Sequence, residues 1–241
     1  MVTSKRQNEN ILPLPTITQI PQPTVADQVF DALRRRILSL ELPPSTKISE
    51  AEVARQMGVS RQPVREAFKR LAKLGFLMIR PQSGTTISLI SEDAVMRARF
   101  IRKALEGKTC RRACRTITDS GRDTLAALIE VQQAAVAKGD RAAFHDADDA
   151  FHREICVIAG VEYVWDLLEE TKAHMDRIRM LSLDSTSQQI ALQEHIDLFD
   201  AIISNNPDEA ERVLNQHLSR ILFLIADLKA KDHNYFTEAT T

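Results

Sequence analysis

Four residues in the second half of the chain, Asp148, His152, His195 and His217, have the types and setting of a metal-ligand set. Asp148 and His152 stand four apart in a helical pattern, so a carboxylate and an imidazole leave one helix face together. His195 and His217 lie in two later apolar stripes, with Leu192, Ile196 and Phe199 around the first and Val213, Leu214, Leu218 and Ile221 around the second. An imidazole in a buried stripe needs a polar partner. Taken singly, each histidine is more often a satisfied core or surface residue than a ligand; the joint placement carries the expectation. A bundle that aims these three helices at one point assembles one oxygen and three nitrogen donors, with positions left for water or a ligand carboxylate. Zinc is the expected divalent metal, and nickel, manganese and iron suit the same donors. His145, seven before His152, has an inward alternative, but its place near the helix start favours the surface; His174 is ambiguous, helical spacing allowing it to border the cavity as an effector-binding residue.

A second constellation lies near the other end. Ser60, Arg61, Gln62 and Arg65 fall in the first turns of an amphipathic helix, with Pro63 tolerated among them. Arg61 and Arg65 share one face, and an arginine can bond guanine O6 and N7 with two donors. Gln62 suits adenine or a phosphate, and Ser60 can cap the helix while reaching a phosphate. An ordinary cationic helix face would look similar. The hairpin pattern directly downstream of this helix favours the reading function.

The elements that must position these groups can be read from periodicity. Residues 1–23, with Pro13, Pro15, Pro21 and Pro23, are expected to be a flexible arm. Thr24 caps a helix that ends at Pro43 and Pro44; Ser49 and Glu52 have capping-box spacing; Gly58 closes a short second helix before the one that begins at Ser60. Two helices joined by a tight turn, then an alternating Phe76–Ile79 and Thr85–Leu89 hairpin about Ser83 and Gly84, make a winged helix-turn-helix over residues 24–90. From Ser91 the pattern is helical almost throughout. Six helices are predicted, near 92–117, 121–137, 140–159, 161–182, 188–204 and 207–230, forming a bundle over 91–231, with 232–241 a fraying polar tail. The fold class is mainly α.

The net charge of -1 conceals an asymmetry, since residues 1–90 carry 13 Lys and Arg against 7 Asp and Glu, and the remainder 19 against 26. The basic half suits a polyanion and the acidic half does not. Three cysteines lack metal-ligand spacing and do not suggest a disulfide framework, which points to a reducing compartment. No apolar run approaches the roughly 20 residues of a bilayer span. A cytoplasmic protein without a membrane partner is expected.

With these motifs in view, Val25 to Leu89, and above all VSRQPVREAFKRLAKLGF, resembles the winged helix-turn-helix of GntR-type regulators. The resemblance implies that Ser60, Arg61, Gln62 and Arg65 touch DNA and that Gly84 is the wing tip near the minor groove. Ser45 stands where that family usually has glycine, and Ala51 where some members place a DNA-contacting arginine. The segments DDAFHREICVIAG, LQEHIDLFDAI and ERVLNQHL resemble the helical effector domain of the FadR subgroup, the FCD domain, in its metal-binding branch. That likeness implies Asp148, His152, His195 and His217 as ligands and an organic acid completing the coordination. Arg102, in IRKALEG, matches a pocket arginine suited to a carboxylate. Glu106, one turn on, either orients Arg102 or forms only a surface pair with it.

Together these readings predict a transcription regulator, with repression the expected mode, that binds a pseudo-palindromic DNA operator as a homodimer. A small carboxylate effector bound beside the metal would modulate it. A regulator that senses the ion itself is the alternative. A metal-dependent enzyme is less favoured, because no general base or nucleophile motif accompanies the ligands.

Overall fold

The computed structural model describes residues 23–80, 84–182, 185–230 and 234–237. Most of the expected N-terminal arm, Ser83 at the wing turn and part of the expected tail lie outside them.

The chain begins with α1 (Val25–Leu38), whose start is a reciprocal cap. The Thr24 hydroxyl accepts from the Asp27 amide at 3.1 Å, while the Asp27 carboxylate accepts from the Thr24 amide at 2.9 Å. A short strand β1 (Lys47–Ile48), absent from the sequence expectation, precedes α2 (Glu50–Met57), which Ser49 caps and Gly58 ends in the left-handed conformation. Next come α3 (Arg61–Lys73), β2 (Leu77–Arg80) and β3 (Gly84–Ile87). The sheet order is β1-β3-β2, all antiparallel, with Lys47 opposite Thr86 and Arg80 opposite Gly84. Two residues of β1 were too few to give an alternation, but they turn the hairpin into a three-stranded wing base. Val29, Leu33, Ile37, Val64, Phe68, Leu71, Phe76 and Ile87 form the core beneath it.

The helical half runs α4 (Glu92–Thr116), α5 (Asp119–Lys138), α6 (Arg141–Ile158), α7 (Tyr163–Glu169), α8 (Ala173–Ser182), α9 (Ser185–Ile203), α10 (Pro207–Ser219) and α11 (Ile221–Ala230). Two of the six expected helices are thus each interrupted once. At the first break the turn delivers Lys172 to Asp149 and Asp176. At the second it delivers Arg220 to Glu194 and Ser187. Local polar pairing outweighs uninterrupted helix at both places. Phe151, Ile155, Leu198, Ile202, Val213, Leu214 and Leu218 pack the bundle core.

α8 also joins the two halves. Ala173 enters the core of the winged domain, Asp176 meets Arg34 of α1 at 3.9 Å, and Arg177 donates to Ser88 at 3.2 Å. Residues 234–237 pair with Ile90 at this junction, Ile90 donating to the Tyr235 carbonyl at 2.7 Å and Thr237 to the Ile90 carbonyl at 2.9 Å. Among the described residues, no helix is long and apolar enough to cross a membrane.

Candidate metal centre and nucleic-acid interface

α6 presents Asp148 and His152 to the bundle interior, where α9 brings His195 and α10 brings His217. All four side chains are buried, and their donor atoms lie within 4.8 Å of one another. Each imidazole is held from behind. His152 Nδ1 donates to Glu106 Oε2 at 2.8 Å, His217 Nδ1 to Glu194 Oε2 at 2.9 Å, and His195 Nδ1 to Gln132 Oε1 at 2.6 Å. Carboxylate and amide oxygens only accept, so the proton belongs on Nδ1 and the lone pair of Nε2 faces the cluster. Nε2 of His152 and of His195 has no hydrogen-bond partner among the described residues. Three oriented imidazoles and a carboxylate, with bare buried donors, are compatible with a metal site.

The electrostatics favour the ligating forms. Burial pushes His195 well below its usual range, and the neighbouring His217 adds to this; burial also lowers His217, against the hydrogen bond to Glu194. Burial alone would raise the Asp148 carboxyl, but the Arg179 guanidinium and the three imidazoles override it and hold it well below the carboxylate range. Arg179 forms an ion pair with Asp148 Oδ1, on the carboxylate that faces the imidazoles.

Beside the cluster is a cavity of about 40 Å³ bordered by Arg102, Arg179, Arg220, Ser187 and His217. Arg102 is 1% exposed and donates to Glu106 through Nε at 2.5 Å, so the pair is buried rather than superficial. Glu106 therefore orients Arg102 and His152 at once. His174 departs from expectation. It does not border this cavity but packs against Gly75 at the junction, its Nδ1 accepting from the Ser91 amide at 3.2 Å. Met175 and Arg179, four apart, take the cavity face of α8, which turns His174 toward the winged domain. His145 is also not at the surface, being 4% exposed. Gln132, Arg179 and Arg220 escaped sequence reasoning, since they reach the site from α5, from α8 and from the turn between α10 and α11, and no local spacing marks them.

On the winged domain, Ser60, Arg61, Gln62 and Arg65 are all exposed along the start of α3, and Gly84 is exposed at the wing with φ 90°. Ser60 occupies the N-cap position, but its side chain makes no capping hydrogen bond. Arg65 Nε donates to Glu50 Oε2 at 3.1 Å, so the start of α2 steadies it. Ser45 adopts φ 69°, a left-handed conformation that glycine takes without steric cost.

A three-stranded winged helix-turn-helix joined to a helical bundle with a buried polar centre defines a DNA-binding regulator with a sensor domain. Residues 25–87 match the gntR family of bacterial regulatory proteins and residues 98–220 match the FCD domain. The chain is 36% identical over 219 residues, 90% of its length and 96% of the relative's, to the HTH-type transcriptional repressor RspR of Escherichia coli K12. It is 32% identical over 212 residues, 86% and 91% of the two chains, to a probable D-xylose utilization operon transcriptional repressor of Paenarthrobacter nicotinovorans. The fold is similar to that of E. coli McbR/YncC, with a TM-score of 0.74, 20% identity, and 85% and 99% of the chains covered. The chain belongs to the GntR family of transcription regulators, in the FadR-like group with an FCD domain, and is not an enzyme.

Proposed function

We propose that the chain is a cytoplasmic repressor whose operator binding is modulated by a small organic acid held beside a divalent metal, zinc by preference over nickel, manganese or iron. The observation that carries this reading is the convergence of Asp148, His152, His195 and His217 on one point next to Arg102, Arg179 and Arg220. When bound, the ion supplies a Lewis-acidic position for an acid's carboxylate. The arginines bind the rest of the anion and fix its orientation. Arg179, which borders this small cavity and pairs with Asp148, sits on the same helix that grips the winged domain, so an acid that draws Arg179 from Asp148 shifts α8. Movement of α8 is thereby coupled to the placement of the reading heads.

Residues 24–90 form the reading unit and 91–231 the sensor. Ser60, Arg61, Gln62 and Arg65 enter the major groove, and Gly84 lets the wing approach the minor groove. A homodimer on a pseudo-palindromic operator gives the reach that one small head lacks. Exposed apolar groups support a second copy: Phe100 of α4 is 75% exposed and Phe223 of α11 is 77% exposed, with Met96 and Leu222 close by in sequence. Glu92 at the start of α4 and Lys229 near the end of α11 form an ion pair, and both helices contribute to one apolar cluster.

The test is fluorescence anisotropy on an operator selected from random duplexes. Di- and tricarboxylic acids should release metal-loaded protein and leave metal-stripped protein unaffected. Release by the metal alone would favour the second reading, a sensor of the ion itself, which the Arg179–Asp148 ion pair supports because a cation entering there displaces another.

A further inference from the structure

α6 carries another cluster on an adjoining face. His145, Asp149 and Asp176 each place a donor atom within 4.8 Å of the others. His145 is 4% exposed, yet neither of its ring nitrogens has a hydrogen-bond partner among the described residues. A buried polar group left without a partner is destabilising, so these nitrogens call for one. The carboxylates repeat the pattern. Lys172 Nζ donates to Asp149 Oδ2 at 2.5 Å and to Asp176 Oδ2 at 2.8 Å, while Oδ1 of both is buried and unpartnered. The cluster thus brings together one unpartnered imidazole and two carboxylates, each with one unpartnered buried oxygen and the other held by Lys172.

We propose that His145, Asp149 and Asp176 form a second divalent-cation site, separate from the one centred on Asp148, for a first-row transition ion such as manganese. Two oxygens and one nitrogen make a harder set than three imidazoles and one carboxylate, and so suit a harder ion. The charges of Lys172 and of Arg34, 3.9 Å from Asp176, oppose the ion, which makes this the weaker of the two sites. Its place matters. Asp176 faces Arg34 of the winged domain, so the ion binds where the sensor meets the reading head. This inference goes beyond the proposed function and requires neither an effector nor the first metal.

Equilibrium dialysis of chelator-stripped full-length protein against Mn²⁺, with elemental analysis, tests it. Wild type should reach about two ions per chain in two affinity classes, and His145→Ala and Asp176→Asn should each abolish the weaker class alone. His195→Ala should abolish the tighter class, and Lys172→Gln should tighten the weaker one about tenfold or more by removing an opposing charge. Wild type and Lys172→Gln that bind no ion beyond the one His195→Ala removes overturn the proposal. A weaker class unaffected by both His145→Ala and Asp176→Asn, in protein of unchanged circular dichroism, overturns it equally.

Discussion

Glu106 is shared between two buried partners: His152 Nδ1 meets its Oε2 at 2.8 Å and Arg102 Nε meets its Oε1 at 2.5 Å. A single carboxylate therefore fixes both an imidazole of the Asp148 cluster and a cavity arginine. Removing its charge disturbs both at once.

Glu106→Gln should weaken metal binding about 10–100-fold, the usual cost of losing a partner behind a ligating histidine. It should also lower stability by about 3–5 kcal/mol, because Arg102 loses its buried counter-charge. Chelator competition and urea denaturation measure the two effects separately. Full metal affinity in a correctly folded variant would remove Glu106 from the site.

His174 gives the junction a pH dependence. Burial, helped by Arg177 and Arg97, lowers it from 6.5 to about 4, so the folded protein disfavours its protonation. The unfolded chain then binds the proton more tightly, and stability is complete above about pH 6.5 and falls as the pH drops toward 4. The loss attributable to this group is on the order of 3 kcal/mol. Urea midpoints at pH 7 and pH 4.5 should converge in His174→Gln relative to wild type; an unchanged gap would assign the dependence to other groups.

Ser45 has φ 69° without the freedom of glycine. Its amide donates to the Ile87 carbonyl at 2.9 Å, which anchors the turn to β3 and holds the conformation in place. Ser45→Gly should relieve part of the roughly 1–2 kcal/mol cost of the left-handed region and raise Tm by a few degrees. Calorimetry showing a lower Tm would mean that the serine side chain contributes more than the backbone strain removes.

On the exposed start of α3, the proposed reading face, Arg65 is supported by Glu50. Arg65→Ala should reduce operator affinity at least about tenfold and relax preference at one base pair if it reads a base, or flatten the salt dependence by about one unit if it neutralises a phosphate. Binding curves on operator and scrambled DNA at two salt concentrations separate these cases. Unchanged affinity at physiological salt would remove Arg65 from the interface.

Local patterns settle early in this chain. Thr24 with Asp27, Ser49 with Glu52, and the glycine at 58 specify helix ends through hydrogen bonds made within a few residues, so reading them requires no knowledge of the rest. The four-residue step from Asp148 to His152 is legible for the same reason, being a property of the helix itself. His195 and His217 could be proposed as partners because their stripes mark an inward face, and the bundle does bring them to Asp148. Gln132, Arg179, Arg220 and the burial of His145 depend on how helices far apart in sequence rotate against one another, which no window along the chain records. His174 shows the limit most clearly. It lies one residue from Met175, yet a rotation of about 100° per residue sends Met175 to the cavity and His174 to the winged domain. Sequence alone determined the elements other than β1 and the two helix breaks, and the candidate ligands; packing decided which face of each helix met which neighbour, because burial of the apolar stripes sets that rotation and the polar groups follow.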